Sequence, residues 1–163
     1  MHYKSKGTSM YAQFRAAIDY VGIKTDPNQL IKENEQIHMD NADKMHVFDS
    51  VIDFLKLLKK QKKTMSICSN RGVSSLEKIL AHNKMTQYFD MIISCKEQGF
   101  EKPDPTCLLG LVKKYDKPKS EFVLIGDSKT DADFATNAGI DFMVVDQYVN
   151  NRQFFRVLLE TLY

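Results

Sequence analysis

From Thr64 onward the chain repeats one pattern, a short apolar run followed by a helical stretch, and this restricts it to βα units feeding a parallel sheet. The runs are Thr64-Met65-Ser66-Ile67-Cys68, Met91-Ile92-Ile93-Ser94-Cys95, Phe122-Val123-Leu124-Ile125 and Phe142-Met143-Val144-Val145, so four strands are expected. Between them Leu76, Ile79 and Leu80, then Leu108, Leu109 and Val112, then Phe134 and Ala138 before Gly139, recur at helical spacing. Upstream, Val51, Ile52, Phe54, Leu55, Leu57 and Leu58 form a broad apolar helical stripe. Lys59 and Lys60 end it and suit the negative end of the helix dipole.

The first 48 residues are helical and polar, without a convincing strand. Tyr11, Phe14, Ile18 and Val21 mark one helix face running to a stop at Gly22, and Asp26-Pro27 reads as an N-cap with proline at the first helical position. A helical hairpin is expected there. The C-terminal stretch from Asn151 to Tyr163 carries Phe154, Phe155, Val157, Leu158, Leu159 and Leu162, enough to dock as a last helix. We divide the chain into a helical segment over residues 1–46 and an α/β core over 47–163.

Composition narrows the function classes. With 163 residues, 43% hydrophobic and 27% charged, the chain suits one globular domain burying roughly 70% of its unfolded surface, and a disordered tail protein is excluded. No apolar stretch approaches the ~18 residues that span a bilayer, and Met1-His2-Tyr3-Lys4 does not open a secretory leader, so no membrane partner and a cytoplasmic location are expected. A net charge of +2 does not point to nucleic acid. The local basic run of Lys56, Lys59, Lys60, Lys62 and Lys63 reads as a solvated helix end. Cys68, Cys95 and Cys107 lack ligand-like spacing and read as reduced core residues, with neither a disulfide framework nor a zinc site.

In parallel α/β sheets ligands gather beyond the carboxyl ends of the strands, so the polar residues just after each apolar run carry the functional reading. After the first run comes Ser69-Asn70-Arg71-Gly72, a hydroxyl, an amide and a small loop whose backbone N–H groups suit an oxyanion. After the second comes Lys102-Pro103-Asp104-Pro105, where prolines present an ammonium rigidly enough to neutralise a phosphate. After the third comes Gly126-Asp127-Ser128-Lys129-Thr130-Asp131, whose two carboxylates are hard oxygen ligands suited to Mg²⁺. Each alone is as readily a turn residue, a solvated charge or a helix cap. Their order along one sheet edge sets them apart.

Those residues resemble the haloacid dehalogenase (HAD) superfamily of phosphohydrolases, from about Val47 to Asp146. Met65 to Asn70 looks like the family's second motif, Lys102-Pro103-Asp104-Pro105 its third, and Val123 to Asp131 its fourth, with Asn137-Ala138-Gly139 following. The resemblance implies an α/β, Rossmann-like parallel sheet with helices on both faces. It also implies that Ser69, with Asn70, and Lys102 bind the phosphoryl group, and that Asp127 and Asp131 hold Mg²⁺ or its waters. Ser9 to Met45 fill the slot of the family's mobile cap and read as a short two-helix remnant. Arg15, Lys24 and Lys32 receive no role.

The family's first motif, an apolar strand ending in Asp-x-Asp-Gly-Thr whose first aspartate attacks phosphorus, is missing. Lys4-Ser5-Lys6-Gly7-Thr8 is its nearest counterpart, with lysine at both carboxylate positions. Phe48-Asp49-Ser50-Val51 looks faintly like it but precedes the helix leading to Ser69. A protonated lysine has no lone pair to attack with, and losing two carboxylates weakens any Mg²⁺ site. The first strand is therefore expected to be truncated or absent. Either Met1-His2-Tyr3 forms a stub, another chain donates a strand and makes an oligomer, or a longer gene product supplies it. The reading is a phosphohydrolase scaffold related to Mg²⁺-dependent phosphomonoesterases of small phosphorylated metabolites, with little or no activity as encoded. The alternatives are a non-catalytic phosphate-ligand or interaction module, and an active phosphatase completed by a supplied strand. A receiver-like module lacks its early acidic cluster.

Overall fold

The computed structural model describes residues 10–45, 47 and 49–145. The proposed counterpart of the first motif at Lys4 to Thr8 and the expected last helix from Asn151 lie outside them. In chain order the elements are helices α1 (Met10–Val21), α2 (Pro27–Asp40) and α3 (Asp49–Lys60), strand β1 (Ser66–Ser69), α4 (Val73–His82), β2 (Met91–Ser94), α5 (Thr106–Tyr115), β3 (Val123–Gly126), α6 (Lys129–Ala138) and β4 (Asp141–Val144). The four expected strands are present. They pair in parallel as two ribbons, β1 with β2 from Ser66 opposite Met91 to Ser69 opposite Ser94, and β3 with β4 from Val123 opposite Asp141 to Gly126 opposite Val144. Among the described residues no strand joins β1 to β3.

Strand alternation divides the apolar residues between two layers of helices. Ile67, Ile92 and Met143 pack with Phe54, Leu55 and Leu58 of α3 and Leu80 of α4. Cys68, Ile93 and Leu124 pack on the other face, with Leu108, Leu111 and Val112 of α5 and Phe134 and Ala138 of α6. Phe134 is wholly buried; enclosing a side chain of that size contributes roughly 2–3 kcal/mol. The outcome is a Rossmann-like α/β arrangement with helices on both faces. At the end of α3, Lys59, Lys60, Lys62 and Lys63 are exposed, as a solvated helix end should be.

In α1 only the middle of the expected face is covered: Ile18 is buried, whereas Tyr11 and Val21 are exposed. The helix stops at Gly22, whose φ of 74° favours glycine and whose N–H bonds Ile18 O. Asp26 caps α2 by accepting from Asn28 N at 3.0 Å, with Pro27 in the first turn. Asn34 Nδ2 touches Met10 Sδ, closing the hairpin, and Lys78 Nζ donates to Met39 O, tying α2 to α4. Lys96 pairs with Glu35 and adds a second tie. No helix of the described residues is long and apolar enough to cross a membrane.

The cysteines depart from expectation. Cys95 and Cys107 form a disulfide with Cα atoms 5.4 Å apart, and Cys68 is the free thiol beside it. The fold brings the residue after β2 against the first turn of α5, a meeting set by packing across the sheet and invisible in a twelve-residue spacing.

Candidate functional site

The carboxyl ends of β1 and β3 bring the second, third and fourth motif segments together through hydrogen bonds. Ser69 closes β1, and its Oγ accepts from Arg71 N at 3.1 Å, which folds the chain back toward α4. Asn70 Oδ1 accepts from Lys102 N at 2.9 Å and fastens the lysine loop to the end of β1. On the far side Asn137 Nδ2 donates to Pro103 O at 3.0 Å, fixing the same loop to α6. Lys102 thereby points across the site: Nζ lies 2.8 Å from Asp131 Oδ1 and 5.1 Å from the centre of the Phe134 ring.

Asp131 also belongs to the N-terminus of α6. Ser128 is the N-cap; its Oγ accepts from Asp131 N at 3.1 Å, while Asp131 Oδ2 accepts from Ser128 N and Ser128 Oγ, a reciprocal capping box. Gly126 makes this geometry possible, because a Cβ there would stand 2.6 Å from Asp131 Cβ. Burial raises the Asp131 pKa, but hydrogen bonds from Lys102 and Ser128 and the Lys102 charge outweigh it, so the carboxyl titrates below its ordinary value. Burial likewise pushes the neighbouring Cys68 thiol up to about 11, against the lowering effect of the Lys102 charge.

Of the residues singled out from the sequence, Asn70, Lys102 and Asp131 are joined by hydrogen bonds, while the Ser69 hydroxyl, one residue before Asn70, accepts from Arg71 N instead. Asp127 stands apart: it is exposed on the β3–α6 turn and bonds none of the others among the described residues. That bears on Mg²⁺, which takes near-octahedral oxygen coordination. Both Asp131 oxygens are engaged, one by an ammonium and one by the capping box. Asp127 is the open carboxylate of the pair. This donor set does not fit a Mg²⁺ cage, and we derive no chemical step through the ion.

Two residues at this edge escaped the sequence reading. Glu97 Oε1 accepts from Val73 N at 2.8 Å, so a carboxylate of the chain itself already occupies the N-terminus of α4. With Arg71 N directed to Ser69 Oγ, two N–H groups of the expected oxyanion loop are used internally. Arg71 is half-buried, its Nη1 donates to Ser75 Oγ at 3.3 Å, and no acidic partner pairs with it among the described residues. Burial lowers the pKa of Arg71. Burial, together with the Arg71 charge, also lowers that of His38 on α2. No motif announces either residue, since a lone arginine or glutamate on a loop reads as solvated.

Known proteins resemble this chain over much of its length. The haloacid dehalogenase-like hydrolase model matches residues 2–145, beginning well before Val47, where the motif resemblance starts. A phosphoglycolate phosphatase of Pseudomonas fluorescens is 33% identical over 58% of this chain and 35% of its own length. One of Aliivibrio fischeri is 24% identical over 85% of this chain and 63% of its own length. The chain thus spans about one third to two thirds of these relatives. A conserved haloacid dehalogenase-like protein from Agrobacterium tumefaciens superimposes over 98% of this chain and 81% of its own, with a TM-score of 0.74 and 18% identity. With three motif segments joined by hydrogen bonds and the family model covering most of its length, the chain belongs to the haloacid dehalogenase-like hydrolases.

Proposed function

We propose that this chain is a phosphatase scaffold that grips a small phosphorylated metabolite and turns it over little or not at all as encoded. The observation that carries the reading is the connection Asn70–Lys102–Asp131, which holds an ammonium where the second, third and fourth motif segments meet, Ser69 standing one residue before Asn70 at the end of β1. Lysine has three donors, so Lys102 keeps its bond to Asp131 and still offers two to a phosphoryl oxygen. Ser69 donates a further one by rotating its hydroxyl. Arg71, which has no acidic partner among the described residues, supplies charge for a second anionic group, in keeping with the phosphoglycolate phosphatases among its relatives. Among the described residues Asp127 is the one open carboxylate of the pair left for Mg²⁺, too few oxygen ligands for a cage. Weak turnover follows from lysines standing where the sequence aligns the family's attacking and acid–base aspartates.

The test is hydrolysis of an aryl phosphate and of phosphoglycolate by the full chain with Mg²⁺. Turnover at the uncatalysed background is expected. Robust turnover abolished by Asp127→Ala would refute the reading and show that another carboxylate attacks.

A second reading rests on the edge of β3. Val123 and Ile125 are 39% and 36% exposed, and no described strand lies between β1 and β3. An inserted strand from another chain, or from a longer product, would cover them and could bring the aspartates of the first motif. Light scattering separates the two: a stable oligomer with turnover favours strand donation, and a monomer without turnover favours the first reading.

A further inference from the structure

The sulfur atoms of Cys68, Cys95 and Cys107 converge on one point from three elements: the third residue of β1, the residue after β2, and the first turn of α5. All three lie within 4.8 Å of one another. Cys68 Sγ is 3.4 Å from Cys95 Sγ and 3.1 Å from Cys107 Sγ. Cys95 and Cys107 are 0% and 2% exposed, and Cys68 is partly exposed. A disulfide accounts for two of these sulfurs. It leaves unexplained why a third is packed against both.

We propose that the reduced form of this cluster is a three-coordinate thiolate site for Cu(I). Reduction of Cys95–Cys107 by a dithiol passes two electrons to the protein disulfide and leaves three thiols facing one another, the dithiol becoming the oxidised product. Binding the ion then releases the thiol protons to solvent and transfers no further electron. Soft thiolates select Cu(I), Zn²⁺ or iron–sulfur clusters over hard cations. Structural zinc takes four closed ligands, and among the described residues no histidine, carboxylate or further cysteine joins these three. A monovalent d¹⁰ ion is satisfied by three sulfurs. At metal–sulfur bonds of about 2.3 Å, a trigonal arrangement sets the sulfurs about 4 Å apart, a span the cluster reaches once the disulfide opens. Cys68, the partly exposed member, marks the point of entry. Because Cys68 precedes Ser69, and Cys95 and Cys107 bracket the loop bearing Glu97 and Lys102, the ion would sit directly beneath the candidate phosphate grip.

The full chain, reduced with dithiothreitol and freed of it under anaerobic conditions, is titrated with Cu(I) supplied as its acetonitrile complex against bicinchoninate as competitor. X-ray absorption then counts the sulfur ligands. One equivalent of Cu(I) withheld from bicinchoninate and three sulfur ligands are expected. Cys68→Ser should leave two sulfurs and at least tenfold weaker retention, and the disulfide form should not retain the ion. Failure of the reduced wild type to compete, two sulfurs in the wild type, or equal retention by Cys68→Ser or by the disulfide form would overturn the proposal. The wild-type ligand count stands even if a variant fails to fold.

Discussion

Lys102 Nζ stands 2.8 Å from Asp131 Oδ1 with the two side chains only 13% and 14% exposed, which makes this ion pair the hinge between the third and fourth motif segments. Removing one partner leaves the other half enclosed and without its counter-charge. Asp131→Asn is expected to destabilise the chain by about 2 kcal/mol, the worth of a hydrogen bond to a charged group. Urea unfolding at neutral pH measures it, and a loss comparable to those of the exposed pairs Arg15–Asp19 and Lys56–Asp53 would contradict it.

The same pair sets an acid limb. The Asp131 carboxyl, whose ordinary value is 3.8, titrates lower in the folded chain, so the unfolded chain binds its proton first as pH falls. The stability it contributes is complete above that ordinary value and is lost as pH drops through the folded value. The wild type should therefore lose stability more steeply than Asp131→Asn below about pH 4. Melting temperatures followed from neutral to acid pH give the comparison; parallel curves would exclude the linkage.

Ser128→Ala removes the N-cap of α6 and two of the bonds that hold Asp131. A loss of about 1 kcal/mol is expected, together with an Asp131 carboxyl returning toward its ordinary value. Chemical denaturation and carboxyl NMR titration report the two effects separately.

Gly126→Ala places a methyl group 2.6 Å from Asp131 Cβ, a distance no relaxed contact tolerates. The start of α6 must shift, at a cost of about 1–3 kcal/mol. Phosphate-dependent stabilisation should fall with it. An unchanged melting temperature would show that the turn yields freely.

Mg²⁺ tests the electrostatics from the other side. With Asp131 engaged by Lys102 and Ser128, millimolar Mg²⁺ should leave the melting temperature unchanged, whereas Lys102→Ala frees an oxygen of Asp131 and should bring a measurable rise. A saturable shift in the wild type would mean that more oxygen ligands meet there than Asp127 offers.

Much of this structure is readable from the residues in order. Short apolar runs alternating with helical stretches located all four strands, and Gly22, Asp26 and Pro27 marked helix ends through backbone constraints that act locally. That Asn70, Lys102 and Asp131 would come near one another was legible because a parallel fold collects its polar loop residues beyond the carboxyl ends of its strands. What stayed hidden depends on distance in sequence. Glu97 reaches Val73 across a loop, Cys95 meets Cys107 through the packing of β2 on α5, and Tyr11 and Val21 remain exposed although their spacing matches that of Ile18. The dual use of Asp131, as capping-box member and as partner of Lys102, was equally invisible, since a carboxylate three residues after a serine fits a cap and a metal ligand alike.

The central claim, that the phosphoryl grip persists without its attacking group, is tested most directly by titrating the full chain with inorganic phosphate and following its melting temperature. A saturable rise is predicted in the wild type, since a ligand that binds only the folded state stabilises it by mass action, and the rise should be absent from Ser69→Ala and from Lys102→Ala. A wild-type melting temperature that phosphate does not move, or a rise that both variants retain, would contradict the account.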